Sequence, residues 1–481
     1  MKDTLDPTDG AALAASIRSG ATTAVAALEA ALARAEEAKA LGAISYLDAD
    51  LGRAQAAAID KGIKGRPKLH SLKPFPGVPF LMKDLGVPAA GFPVVCGSAS
   101  LPATAPETDA ELARRFKTAG LVPFGVTTVP EFGLALWSEP AIGPIARNPL
   151  DPSRTPGGSS GGAGTAVAAG IVALAHASDA GGSTRIPAAC CGLVGLKATR
   201  GATPAGPDFG NHIGGIAAEL VISRSLRDTA LALDHCSGSA EGYFPDPDLD
   251  GPIAPLLDKP VEPLRIGVLL DVADGKAIEA ERRAAVAHAA EVLQAAGHTI
   301  VPLDPARLAP LLANAELVFD RIICANLARN MPDLSKVERL TAAVARRGLE
   351  MTARDYQQAE VTAVRTAHAM WRLFDEVDIL LTPMLSGPPL KIGAYSFDHD
   401  DVALQWRRMS DFAPYAMIAN IAGTPALSIP HGTDADGLPL PVQLIGPMAS
   451  DGLLLRLARS LQRAMPWSFA TSIAGLPDGA A

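Results

Sequence analysis

The sequence predicts an α/β fold, and three observations lead there. Short apolar runs bounded by glycine and proline, such as PFLMKDLGV, LVPFGVTTV and LRIGVLL, alternate with amphipathic helical stretches. The run LRIGVLL, the stretch AERRAAVAHAAEVLQAAG and the run HTIVPLD follow one another as strand, helix and strand, the order of a parallel crossover. Hydrophobic residues make up 48% of the 481 residues and charged residues 19%, a balance that fills a large core and excludes a disordered chain. This alternation implies helices on both faces of a large sheet.

Taken in order, residues 10–64 read as helical. AALAASIRSG and AVAALEAALARAEEAKA place apolar residues at i, i+3 and i+4, with Gly20 and Gly42 as punctuation. The turn at Gly77-Val78-Pro79 introduces a strand that ends at Lys83-Asp84 and presents Lys83. ELARRFKTAG is a helix with a glycine stop, and LVPFGVTTV a strand. From Thr155 to Gly201 the chain is poor in charge and rich in glycine. Residues 236–262, rich in Pro, Gly and Asp, read as a surface excursion, and 307–376 as mostly helical. VDILLTPM and TPALSIP are buried strands, and LLLRLARSLQRA is a closing helix. Taken by itself, the stretch 236–376 is compatible with a separate lobe or with one domain.

The charge balance narrows the function classes. Lys+Arg number 42 against 51 Asp+Glu, a net charge of −9, and no basic run breaks this balance, so no nucleic-acid surface is expected. MKDTLDPTDG carries acidic residues and no apolar core, so neither a secretory signal nor a transit peptide is expected. The uncharged stretch Thr155–Ser178 opens with TPGGSSGGAG, which leaves a core helix rather than a membrane span. Cys96, Cys190, Cys191, Cys236 and Cys324 are odd in number and irregularly spaced, which fits buried thiols in a reducing, cytoplasmic compartment. The nine histidines form no HExxH or similar pair, so no metal is expected.

Three features together carry chemistry: Pro156-Gly157-Gly158-Ser159-Ser160-Gly161-Gly162, Asp179-Ala180-Gly181-Gly182-Ser183-Thr184-Arg185, and Lys83. Glycines beside a serine let a carbonyl approach its hydroxyl and let backbone N–H groups converge. Ala180, Gly181, Gly182 and Ser183 can thus form an oxyanion hole, each donor worth about 3–4 kcal/mol of barrier. The stretch AGTAVAAGIVALA reads as a helix whose N-terminus adds positive potential. A serine needs a base, and no His–Asp pair offers one. A lysine serves if neutral, and burial beside Phe80, Leu81, Met82 and Leu85 favours that form. A phosphate cradle is the competing reading of the glycine loop, but the GK[ST] of a nucleotide loop is missing. Singly, each feature is an ordinary loop or surface pair; their co-occurrence in this order is the signal.

The block RNPLDPSRTPGGSSGGAGTAVAAGIVALAHASDAGGSTRIPAACCGLVGLKATRG, from Arg147 to Gly201, closely resembles the signature of the amidase signature enzymes. KDLGVPAAGFPVVCGS upstream and VDILLTPM and NIAGTPALSIP downstream extend the resemblance over most of the chain, and the two serines lie 24 residues apart as in that family. The resemblance implies one domain over residues 1–481, with a helical N-terminal segment at about 10–64, a signature core at about 75–235 and a helical excursion at about 236–376. It implies a large mixed β-sheet covered by helices on both faces. It also implies Ser183 as nucleophile, Ser159 as bridging serine after a cis Gly158–Ser159 bond, Lys83 as base, and no cofactor. Ser160 is expected to support the loop. Asp179 and Arg185 match family positions and read as scaffold, with direct substrate contact as the other reading. Ala198 stands where the family usually has proline, and Thr184 where it often has isoleucine.

Within the family, ASDAGGSTRIPA and the CAN tripeptide at Cys324-Ala325-Asn326 look most like the branch of 6-aminohexanoate cyclic dimer hydrolases, aryl acylamidases and urethane-cleaving enzymes. That branch implies bulky or aryl amides, anilides, cyclic amides or carbamates as substrates. Phe132, Leu136 and Trp137 are candidate pocket walls or core aromatics, and Cys324 a pocket or packing cysteine. The expected partner is a small-molecule amide or carbamate, with no nucleic acid and no membrane, for a monomer or homodimer. Two other roles compete: the glutaminase A subunit of a tRNA-dependent amidotransferase, and a non-catalytic scaffold that kept the fold.

Overall fold

A computed structural model describes residues 5–6, 8–68, 72–204, 212–238, 245–275, 277–330 and 333–477. Two sheets organise it. The smaller has the order β1-β3-β2, from Ile44–Leu47 (β1), Val122–Thr127 (β3) and Pro79–Lys83 (β2). β2 and β3 run parallel, and β1 pairs antiparallel with β3. The larger, eight-stranded sheet is mixed. It is built from Leu174–Asp179 (β4), Val194–Lys197 (β5), Ala218–Ser223 (β6), Arg265–Val268 (β7), Thr299–Pro302 (β8), Ile379–Pro383 (β9), Ala426–Thr433 (β10) and Pro439–Ile445 (β11). Its order is β4-β6-β5-β10-β11-β9-β7-β8, with β7 parallel to both β8 and β9 and the other pairs antiparallel.

Local sequence explains the helices. Gly10–Ser19 (α1), Ala24–Glu37 (α2) and Ala49–Gly65 (α3) start at Asp9, Thr23 and Asp48, whose side chains accept the N–H groups of Ala12, Ala26 and Leu51. β1 interrupts the expected helical run between α2 and α3, because Gly42 (φ +63) turns the chain into Ile44 and Tyr46, residues that favour strands. Glu111–Thr118 (α4) lies within its expected range. Gly161–Ala168 (α5) is shorter than the sequence suggests. The N–H of Ile171 bonds to Ala166 O and that of Gly170 (φ +73) to Val167 O, closing the helix in a Schellman motif so that Leu174 begins a strand. Arg185–Cys191 (α6) and Leu226–Cys236 (α7) follow.

The segment 236–376 is more than a helical excursion. β7, Ala280–Ala295 (α8) and β8 form the expected parallel crossover at the far edge of the large sheet. Residues 239–244 of the expected surface stretch lie outside the described residues. Ala309–Asn330 (α9), Arg339–Leu349 (α10) and Ala353–Phe374 (α11) supply the helical part, with a capping box at Thr352 and Asp355 opening α11. Val402–Phe412 (α12), Ala416–Ala422 (α13) and Asp451–Ala464 (α14) complete the chain.

Helix α14 packs on α7 and α8, and these three cover β6, β10 and β11. Helices α5 and α6 pack together against β4, β5 and β10. Every residue of β4, β5, β6 and β9 is buried, as a sheet covered on both faces requires. β2 packs against β4 where the sheets meet, and Lys83 stands at that junction. No helix among the described residues is long and apolar enough to cross a membrane.

Candidate active site

Lys83 is the last residue of β2 and is 1% exposed. Its Nζ lies 2.9 Å from Ser159 Oγ, 2.8 Å from Ser178 Oγ and 3.2 Å from Ser178 O. Burial pulls its pKa down to about 7, against the opposing pull of Glu219, Asp179, Cys96 and Asp84. The next residue, Asp84, accepts the N–H groups of Val95 (2.6 Å) and Gly97 (2.8 Å), and burial pushes its carboxyl up to about 6.

Ser159 follows a cis Gly158–Ser159 bond. A Cβ on Gly158 would come within 2.6 Å of Trp137 N and 2.8 Å of Ala135 O, so only glycine lets the 135–137 backbone pass. Ser138 holds the same loop, donating to Gly157 O and accepting from Gly161 N–H. Ser160 ties the loop to its neighbours. Its N–H donates to Ser183 O (3.2 Å) and its hydroxyl to Ser178 O (3.3 Å).

The second loop leaves β4 at Asp179. The Asp179 carboxylate accepts from the N–H of Gly182 (2.6 Å) and from Nε and Nη2 of Arg185, both at 2.9 Å. It is fully buried, and although burial alone would raise its pKa, the Arg185 guanidinium and Asn420 hold it well below the ordinary carboxylate range. Arg185 is also fully buried, with Asn420 Oδ1 (2.6 Å) and Gln443 Oε1 (2.7 Å) taking its remaining contacts. Both side chains are thus committed to the loop and to each other. The Gly182 N–H is committed to Asp179, which removes it from the expected oxyanion set. Gly182 serves the turn instead, at φ +117, where a Cβ would meet Ile186 and Ala416.

Ser159, Ser178, Ala180, Gly181 and Ser183 line one cavity of about 40 Å³, with Leu85, Phe132, Leu134, Ile213, Phe319, Ile323 and Met409 as its apolar walls. Of the expected walls, only Phe132 is among them. Leu136 and Trp137 pass Gly158 with their backbone, and the Trp137 ring packs on Tyr395 and Phe397 at 5.1 and 5.8 Å. Cys324 is fully buried, with Sγ 3.7 Å from Asp320 Oδ1 and its carbonyl against Gly348 of α10. Phe319 and Ile323 sit one turn apart on α9 and face the cavity, and Cys324 falls off that stripe. The spacing F-x-x-x-I in AELVFDRIICAN was the available sequence signal. Beyond Phe319 lies a second cavity of about 490 Å³ lined by Glu316, Asp320, Arg347, Trp406 and Met417 among others. Phe319 and Trp406 stand edge to face at 5.2 Å between the two.

The family model described as Amidase matches residues 26–455. The chain belongs to the amidase signature family. A curated relative, the 6-aminohexanoate-cyclic-dimer hydrolase of Paenarthrobacter ureafaciens, is 32% identical over 415 residues, covering 82% of this chain and 84% of that protein. A solved structure of 6-aminohexanoate cyclic dimer hydrolase superposes with a TM-score of 0.88 at 30% identity, covering 98% of this chain and 99% of the other. A bacterial aryl acylamidase structure shares the fold with a TM-score of 0.82 at 23% identity, covering 96% and 97%. As an amidase, the chain hydrolyses carbon–nitrogen amide bonds of small molecules. In this amidase the Lys83 amine, the Ser159 hydroxyl and the Ser183 loop meet where two sheets join.

Proposed function

We propose that this amidase cleaves bulky or aryl amides, anilides, cyclic amides or carbamates through a Ser183 acyl-enzyme. One observation carries the reading: a fully buried lysine amine that burial brings to a pKa of about 7 lies 2.9 Å from the Oγ of Ser159, which lines the same cavity as Ser183. Neutral Lys83 takes the Ser159 proton as Ser159 takes that of Ser183. The freed oxygen attacks the carbonyl carbon, and the N–H groups of Ala180, Gly181 and Ser183 hold the oxyanion. The relay returns the proton to the leaving nitrogen, and water then releases the acid and restores the serine.

The apolar walls and the likeness to cyclic dimer hydrolases support this substrate class. Alkoxide leaves more readily than an amide nitrogen, so activated esters belong to the reading as side substrates. The five free cysteines support a cytoplasmic setting. Nitroaniline release from a nitroanilide, measured with wild type and Ser183→Ala side by side, is the test. The expected result is release by the wild type alone. Equal turnover in the variant rejects the mechanism. Ammonia from glutamine with no aniline from any anilide would replace the reading with the amidotransferase subunit.

A further inference from the structure

Two buried titratable side chains at the junction of the sheets take no part in the chemistry above. β2 is the outer strand of the smaller sheet and β4 the outer strand of the larger. Outer strands present N–H and C=O groups that have no ladder partner. At this seam the Lys83 N–H is met by a side chain, His176 Nδ1 of β4, at 3.2 Å. On the other side of the ring, Nε2 lies 3.2 Å from Glu219 Oε1 of β6. The same oxygen accepts the N–H of Val87, just past Lys83, at 3.1 Å. The β4–β6 register places Glu219 opposite Ser178, whose hydroxyl and carbonyl hold Lys83 Nζ. Phe116 packs on the imidazole at 5.5 Å, and both His176 and Glu219 are fully buried.

Burying a carboxylate is costly, but apolar side chains here would leave the N–H groups of Lys83 and Val87 without acceptors. We infer that His176 and Glu219 are positioning residues for Lys83. His176 fixes the strand end that carries the lysine, and the Glu219 carboxylate sets the field around its amine. This rests on the reading of Lys83 as the base. The other groups facing the amine are Asp179 of β4 and, from the chain after β2, Asp84 and Cys96; Glu219 is foremost among them in favouring the charged form. Its negative charge therefore works against burial, and its removal leaves Lys83 neutral to lower pH.

The test uses the full chain and two readouts across pH: labelling of Ser183 by a fluorophosphonate, and aniline release. Wild-type labelling is expected to rise through a midpoint near pH 7. Labelling that is absent or independent of pH would overturn the base reading and this inference with it. In Glu219→Gln the midpoint is expected to move down by about half a unit or more, while Glu219→Asp, which keeps the charge, stays near the wild type. A wild-type midpoint in Glu219→Gln overturns the role of Glu219 and leaves the base reading standing. His176→Asn keeps an acceptor near the Nδ1 position and is expected to retain most of kcat. His176→Leu is expected to lose about tenfold in kcat with KM within about twofold. Should Glu219→Gln fail to fold, the His176 pair decides alone, and equal kcat in the two variants overturns the inference.

Discussion

Lys83 shows how much one residue's setting can do. An exposed lysine is charged at neutral pH and cannot accept a proton; burial makes this amine half neutral at about pH 7. A base works only when unprotonated, so kcat/KM is expected to rise with pH through about 7 and to fall on the acid side. A flat profile between about pH 5 and 9 would contradict this. Lys83→Met removes the acceptor and is expected to lower kcat by about 10³-fold or more. Asp179 has the opposite duty, since the Arg185 guanidinium and Asn420 keep it ionised. Asp179→Asn leaves Arg185 buried without its counter-charge, at a cost of about 3–5 kcal/mol measured by urea unfolding. An unfolding midpoint equal to that of the wild type would show that Asn420 and Gln443 suffice to hold Arg185. Lys83, Ser159, Ser183, Asp179 and Arg185, which the fold brings to one junction, can each be picked out in the sequence because each belongs to a short local pattern. That the Gly182 N–H is spent on Asp179 cannot be read there, because it depends on how the loop turns.

At the scale of single elements, α9 walls the cavity that Ser183 lines. Its i, i+4 pair Phe319 and Ile323 walls the narrow cavity, and the Phe319 ring also touches Gly181 of the serine loop. Phe319 of that cavity packs edge to face on Trp406, which lines the larger one. Phe319→Ala is expected to join them. The kcat/KM ratio of a bulky aromatic acyl anilide over an acetyl anilide should then rise about tenfold. Phe319→Leu, a milder change of volume, should give a smaller rise at less cost in stability. An unchanged ratio in both variants would place the substrate elsewhere. Helical periodicity made α9 readable as a helix, but it could not tell which stripe faces the serine. Cys324 stands out through the CAN tripeptide, and Phe319, five residues earlier, reads like any core aromatic. The strands divide in the same way. The apolar run ending at Lys83 is legible as β2, but that it joins a separate three-stranded sheet depends on pairings far apart in the chain.

The whole molecule is tied by contacts of this long-range kind. The large sheet draws β4, β5 and β6 from residues 174–223 and its other strands from 265–445, and the halves meet where β5 pairs with β10. The serine loop depends on the same union. Asn420 donates to Asp179 O (2.8 Å), and Gln443 and Asn420 hold Arg185, all across more than two hundred residues of chain. Arg459 of α14, buried beside Asp6, fastens the last helix to the start of the chain. Asn420 opens the NIAGTPALSIP stretch that carries the resemblance, but nothing local in the sequence says that it and Gln443 hold Asp179 and Arg185. Their consequence can be measured. If the halves formed separate domains, the C-terminal part could unfold while Ser183 kept its surroundings. One shared sheet instead predicts a single cooperative transition. In a Trp137→Phe variant, near-UV circular dichroism, whose tryptophan signal then comes from Trp371, Trp406 and Trp467 of the C-terminal half, and fluorophosphonate labelling of Ser183 in the N-terminal half are therefore expected to be lost at the same temperature. Asp179→Asn should lower both midpoints together, because the ion pair it breaks is gripped from both halves. Labelling that outlasts the dichroism signal would mean that the loop needs neither Asn420 nor Gln443, and that residues 1–235 stand as a unit.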